Sequence, residues 1–354
     1  MKRLLKVLGS IIIGILILSV VYIMAGRFIN GQKSKITTTK GIQENVTIDI
    51  NGMSQVLSVR GEDTNNPIIL FIHGGPGVPT GCFDYLWQPE LNKNFTIVTF
   101  EQRGCAKTFY NNPEAEVSKE LILQDIDTII DYLRQRFNQD KVIIMGHSWG
   151  TILGTEYTYA RPEKVKSYIG VGQVVNMSEG EQEAAQEAMK RATAQNDEKY
   201  VEVFKENYDA FCSTHKIDES FMTYRSMEPK YLKGDREKTM LQLASAYLTS
   251  PILTFQDAKW FLIDSNKNLL DENNTLTRGL FDFNGHEMKA YEVPMYFISG
   301  GNDYVTPFVL AEKYCEEITA PDKAIKIIEG AGHNTYLDVP GEFSAAVKEL
   351  LNRQ

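Results

Sequence analysis

A chain of 354 residues is enough for one large domain or two small ones, and 43% hydrophobic with 23% charged residues fits a globular enzyme with a sizeable core. The net charge of −9 argues against nucleic acid as a partner. Cys82, Cys105, Cys212 and Cys315 form neither a C-x-x-C pair nor a disulfide framework, so the usual zinc and thioredoxin-type spacings are excluded.

Met1 to Lys6 is basic, and Val7 to Met24 is an uncharged run of 18 residues, long enough to cross a bilayer as a helix. A secretory signal has a shorter apolar stretch and a small-x-small cleavage site, and Ile23-Met24-Ala25 is a poor one. Residues 1–26 are therefore expected to be an uncleaved membrane anchor, with secretion after signal cleavage as the alternative. Lys2, Arg3 and Lys6 lie closer to the span than most of Arg27, Lys33, Lys35 and Lys40 on its other side. The positive-inside rule then favours a single-pass protein of the cell membrane with its main domain outside the cytoplasm. Residues 27–44 are polar, include Thr37-Thr38-Thr39, and read as a stalk.

Asn45 to Ile50 and Gln55 to Arg60 flank Asn51-Gly52, a hairpin signal. Pro67 to Ile72 and Phe95 to Phe100 are apolar runs, as strands buried on both faces should be. The first ends in His73-Gly74-Gly75-Pro76-Gly77 and the second in Glu101-Gln102-Arg103-Gly104-Cys105. Leu121, Ile122, Ile126, Ile129, Ile130 and Leu133 fall at helical spacing. Lys141 to Met145 is another buried strand, followed by Gly146-His147-Ser148-Trp149-Gly150 and a helix that Arg161-Pro162 ends. Ser167 to Val175 is the next strand. Strands alternating with helices predict a mainly parallel sheet with helices on both faces.

The alternation stops for residues 176–290, which read as mostly helical and are too long for a loop. This stretch is expected to be a helical cap inserted into a core of residues 45–175 and 291–354. Strands resume at Val293 to Gly300 and Ala324 to Glu329, with helices from Pro307 to Ile318 and Pro340 to Leu351.

G-x-S-x-G between a strand and a helix is the nucleophile elbow of α/β-hydrolases, whose chain order is Ser, then Asp or Glu, then His. The glycines at 146 and 150 are expected where side chains would collide with backbone. Ser148 is thus the expected nucleophile, His333 the base and Asp303 the acid that orients it. Asp303 and His333 both follow buried strands in glycine-rich loops, where an open α/β sheet carries its site. Asp282 follows no clear strand, and Asp338 lies beyond the base in the chain. His73 is expected to brace its glycine loop, and His147 to point away from the serine. His215 and His286 fall in the cap, with solvent or local hydrogen bonding as the default. The oxyanion needs preorganised donors, expected from the amide of Trp149 and from Gly74-Gly75.

His73-Gly74-Gly75-Pro76-Gly77, Gln102-Arg103-Gly104-Cys105 and Gly146-His147-Ser148-Trp149-Gly150, in this order, resemble the proline iminopeptidase family of α/β-hydrolases over about residues 45–350. The resemblance implies a helical cap, a triad on Ser148, Asp303 and His333, oxyanion donors at Gly75 and Trp149, and no metal or organic cofactor. It also implies release of an N-terminal residue, often proline, from a small peptide or amide. Family members hold the substrate amine with cap glutamates; Asp271 and Glu272 are candidates, Glu272 the one singled out. The chain departs from the family in having Glu101 where Asp is usual and in carrying the anchor. The same machinery attacks esters, so a carboxylesterase or lipase-like hydrolase is the second reading. A non-catalytic binding protein on the same fold is the third.

Overall fold

The computed structural model describes residues 2–214, 217–265 and 275–353. Eight strands form one sheet in the order β1-β2-β4-β3-β5-β6-β7-β8. They are β1 (Ile42–Ile50), β2 (Met53–Gly61), β3 (Ile68–Ile72), β4 (Thr96–Phe100), β5 (Val142–His147), β6 (Val165–Val171), β7 (Met295–Gly300) and β8 (Lys323–Ile328). β1 and β2 pair antiparallel across Asn51 and Gly52, whose φ angles of 52° and 77° give the doubly left-handed turn that suits strand twist. β2 is antiparallel to β4, and every later pairing is parallel.

The apolar runs are explained by burial on two faces. Ile68, Leu70 and Ile72 of β3 join a core with Ile126, Ile130 and Ile152, while Ile69 and Phe71 join a second core with Trp87, Tyr336 and Phe343. Period-2 alternation thus feeds both layers from one strand. Helices α4 (Lys119–Phe137) and α5 (Trp149–Ala160) supply the first layer, and α2 (Asp84–Leu91) with Pro340–Leu351 supplies the second. α4 starts where Ser118 accepts a hydrogen bond from the Leu121 amide and stops at Asn138 in the left-handed conformation.

Between β6 and β7 the chain makes a helical excursion. Its ends are pinned together, because Asn176 bridges to Asn284 and the Gly285 amide donates to Val175 O at 2.7 Å. Gly279, in Thr275–Asp282, sits against the Trp149 ring, so the excursion lies over the start of α5.

The N-terminal helix α1 (Lys2–Lys33) continues well beyond the apolar run into the polar residues expected to be a stalk. Arg27 Nε donates to Leu248 O at 3.0 Å and Asn30 Nδ2 to Thr249 O at 3.1 Å, so this part is docked on the excursion.

One ion pair ties the end of β4 to α4. Arg103 Nε and Nη2 donate to the two oxygens of Asp125 at 2.7 and 2.9 Å, with both side chains buried. Gln55 Nε2 adds a 2.6 Å hydrogen bond to the same carboxylate. Removing one member of a buried pair strands the other charge and costs roughly 3–5 kcal/mol. Asp125→Ala is therefore expected to lower the urea unfolding free energy by about that amount. A loss below about 1 kcal/mol would place this pair among weakly coupled ones.

Candidate active site

The site lies at the carboxyl ends of β3 and β5, neighbours at which the chain's strand order changes direction. Ser148 occupies φ 53°, ψ −124°, a conformation that non-glycine residues rarely adopt. Its amide donates to Val171 O at 3.0 Å. A Cβ on Gly146 would meet Gly150 O at 2.5 Å, and one on Gly150 would overlap Ile72 O. Both glycines are therefore needed for the turn to close against β3.

His333 and Asp303 come together from the loops after β8 and β7. His333 Nδ1 is 3.0 and 3.1 Å from the two Asp303 oxygens. Asp303 is buried and also accepts from the amides of Val305 and Thr306 and from Thr306 Oγ1, at 3.0, 2.9 and 2.8 Å. Burial opposes its charge, but the adjacent His333 and these donors outweigh it and hold the carboxyl below its ordinary pKa. Gly172, just after β6, seats the imidazole: a Cβ there would come within 3.1 Å of His333 Cε1 and Nδ1. Ser148 and His333 are thus anchored to adjacent residues, Val171 and Gly172. No hydrogen bond joins Ser148 to His333 among the described residues.

The glycine loop after β3 packs on the serine, since a Cβ on Gly74 would lie 2.9 Å from Ser148 Cβ. Gly75 has φ 120°, and Trp149 opens α5, so its amide is one of the unpaired donors of a helix N-terminus. His73 braces this loop. It receives the Gln102 amide on Nε2 at 3.3 Å, so Nδ1 carries the proton toward Gly74 O at 2.9 Å, and Gln102 Nε2 donates to His73 O at 2.8 Å. Burial drives the His73 pKa down to about 4.

The Abhydrolase_1 model, the alpha/beta hydrolase fold, matches residues 67–340. The chain belongs to the alpha/beta hydrolase family. Within it the chain is 28% identical over 304 residues to a probable aminopeptidase, YbaC, of Bacillus subtilis, covering 84% of this chain and 92% of that protein. It is 24% identical over 315 residues to a proline iminopeptidase of Heyndrickxia coagulans, covering 86% and 97%. The crystal structure of proline iminopeptidase from Mycobacterium smegmatis superposes with a TM-score of 0.61 at 19% identity, covering 88% of this chain and 98% of that one. As a member of this family the protein is a hydrolase.

Several features of this hydrolase's site are not announced by its motifs. The buried His147 ring lies 4.9 Å from that of His333, and its Nε2 contacts His333 O at 3.2 Å. A strap within the excursion, residues 234–238, packs on the loops of both Asp303 and His333: a Cβ on Gly234 would lie 2.9 Å from Asn302 Cβ and 2.7 Å from Gly330 O. The Arg236 amide donates to Gly330 O at 3.0 Å, and the Lys238 amide to Asp338 Oδ1 at 3.0 Å. Asp338 in turn accepts from the Gly332 amide at 3.1 Å, so this acid supports the histidine loop. Glu237 packs on Gly332. Only spatial neighbours define these roles, and no local pattern marks them.

Of the other predicted residues, Asp271, Glu272 and His215 lie outside the described residues. Asp282 ends a helix of the excursion, and His286 pairs with Glu317 and Glu179 away from the site. Inside the excursion, Glu181 and Glu228 are buried beside the partly exposed Arg225, which bonds Glu228 at 2.9 Å, while Tyr224 donates to Glu181 at 2.7 Å. A cavity of about 610 Å³ adjoins the glycine loop, lined by His73 and Gly77 as well as by Trp260 and Phe261; Ser148 is not among its walls.

His73 gives a pH prediction. Its folded pKa of about 4 lies below the ordinary 6.5, so between these values the unfolded chain binds a proton that the folded chain does not. Its contribution is fully present above about pH 6.5 and is lost as pH falls toward 4. His73→Gln should remove this dependence. The stability gap between wild type and variant should shrink by up to about 3 kcal/mol from pH 7 to pH 4 in denaturant melts. A gap constant with pH would refute a buried neutral imidazole at this position.

Proposed function

We propose that this protein is a membrane-anchored serine hydrolase of aminopeptidase type. Ser148 is the nucleophile, His333 the general base and Asp303 the group that orients it. With Nδ1 held by Asp303, Nε2 of His333 is left to take the Ser148 proton as the hydroxyl attacks the carbonyl carbon. The Gly75 and Trp149 amides face the resulting oxyanion. The same imidazole then protonates the departing amine, and water releases the acyl group by the reverse proton path. The observation that carries this reading is the 3.0 Å Asp303–His333 contact beside a serine held in a strained elbow.

Substrate class is supported by the relatives, whose names specify aminopeptidase and proline iminopeptidase activity. The helices of residues 176–290 act as the cap over the site, and Glu237, packed on the His333 loop, is our candidate to receive the substrate amine. Anchoring is supported by α1, whose apolar window is wholly unburied by the rest of the protein. Residues 1–26 span the membrane and the hydrolase domain lies outside the cytoplasm.

A fluorophosphonate probe should label the wild-type chain and leave Ser148→Ala unlabelled. Equal labelling of both would remove Ser148 from its role. Asp303→Asn should lower kcat by about 10⁴ while leaving the fold intact. A panel of proline, alanine and other aminoacyl arylamides beside short acyl esters reads the substrate class. Cleavage of arylamides is expected, and hydrolysis of esters alone would make the protein an esterase. On the arylamides, Glu237→Gln should raise KM about tenfold with little change in kcat, the pattern of lost ground-state binding. A fall in kcat at constant KM would reassign Glu237 to support of the histidine loop.

A further inference from the structure

Exposed large apolar side chains are unevenly distributed. Apart from α1, those among the described residues are Tyr159, Met222 and a group confined to residues 240–263. That group includes Met240 and Leu241, exposed by 79% and 84%, together with Phe255 and Leu262. It occupies the part of the excursion that touches α1.

The contacts fix the relative direction of the two segments. Tyr22 OH lies 2.7 Å from Ser245 Oγ, Arg27 reaches Leu248, Asn30 reaches Thr249, and Gly31 faces Pro251. Numbers rise together on both sides. Helix α10 (Met240–Leu248) therefore meets α1 through its second half, with its chain direction in the same sense, and its first turn points back toward the apolar half of α1. Met240 precedes Ser245 by five residues, which at 1.5 Å per residue places it roughly 7 Å farther along than Tyr22's contact. Tyr22 lies two residues before the end of the apolar run at Met24, so Met240 and Leu241 fall on the side of that run's last turns.

We propose that this face of the excursion rests in the headgroup–acyl boundary of the bilayer, and that the cavity beside the glycine loop takes its substrate from there. The proposal rests on α1 being a membrane anchor. Apolar residues at the level of a spanning helix's end are stabilised by lipid in the way an interfacial helix is. The cavity and this face share a wall. Phe261 lines the cavity and is half exposed, and its ring meets that of Tyr247 on α10 at 5.1 Å. Farther in, Lys107 pairs with Glu101 and Asp257, all three largely screened from solvent. The cavity is thus apolar at its lipid-side rim and charged within. The substrate it suits is amphiphilic, with an apolar chain that partitions into the membrane and a polar end carried toward Gly75.

The test uses the full chain reconstituted in phosphatidylcholine–phosphatidylglycerol vesicles with brominated acyl chains, which quench tryptophan at depth. Three reporters are compared after subtraction of the parent signal: Val21→Trp in the span, Leu241→Trp on the proposed face and Met222→Trp elsewhere. Quenching of the first two and not the third is expected. Quenching of Val21→Trp alone overturns the proposal and leaves the anchor standing, whereas no quenching at any site removes both. In parallel, the double variant Met240→Glu, Leu241→Glu is assayed on the long-chain and short-chain forms of whichever arylamide or ester the panel identifies. Turnover of the vesicle-embedded long-chain form should fall about fivefold or more, with the soluble short-chain form unchanged. An equal effect on both, or a detergent-solubilised dimer that this double variant dissociates, would overturn the proposal, the latter by showing a second copy on this face.

Discussion

The constraint on which the site depends is the approach of the turn at residues 146–150 to the end of β3. Ser148 stands in a backbone conformation that costs on the order of 1–3 kcal/mol and persists only where its surroundings over-determine it. Here they do so from two sides. Gly150 is pressed on Ile72 O, and Gly74 on the Ser148 side chain. The contact that holds the serine out of the sheet edge therefore also sets where the following loop, with Gly75, must run. The Ser148 turn and the Gly74-Gly75 loop share one register, that of β3 against β5.

Buried polar groups extend this rigidity outward. His73 joins its loop to Gln102 through two hydrogen bonds and contacts Gly74 O within the loop, and the next residue after Gln102, Arg103, is locked to Asp125 on α4. Each member leaves its partner unsatisfied if removed, which is why such networks specify one arrangement. The Gln102-Arg103-Gly104 segment is thus scaffold for the glycine loop after β3. Glu101, at the Asp position of related motifs, accepts from the amides of Lys107 and Thr108 at the start of α3 (Ala106–Asn111). A carboxylate suits the positive end of that helix, and the longer side chain also reaches Lys107 Nζ at 2.8 Å.

Strands were legible because burial on both faces demands continuous apolar runs, and each of Ile68–Ile72, Thr96–Phe100 and Val142–His147 carries one. The elbow was legible because its glycines answer to steric overlap within five residues. Asp303 and His333 could be singled out because loops after parallel strands converge on one sheet edge, and chain order did the rest. His147 and the strap at 234–238 could not. Their roles come from contacts between segments separated by tens to hundreds of positions, and nothing local distinguishes these residues from others of their type. The contacts of the polar end of α1 escape the sequence for a related reason. Polarity after an apolar span suggests a linker, but Arg27 and Asn30 are polar because they donate to carbonyls of residues 248 and 249.

The excursion between β6 and β7 is more than a cover. Its strap holds the loop of the histidine by backbone hydrogen bonds, from Arg236 to Gly330 and, through Asp338, from Lys238 to Gly332. Two residues after Lys238 the chain enters α10, which lies on α1. Thr239 separates them and caps that helix, its side chain accepting from the Gln242 amide while Gln242 reaches back to the Thr239 amide at 2.8 Å. A capping box of this kind fixes the angle at which chain meets helix. The His333 loop, the strap and the helix beside the N-terminal segment are therefore joined by hydrogen-bonded backbone with a single intervening cap. Any displacement of α10 relative to the sheet must be absorbed at residues 233–239 or passed to the loop that carries the imidazole.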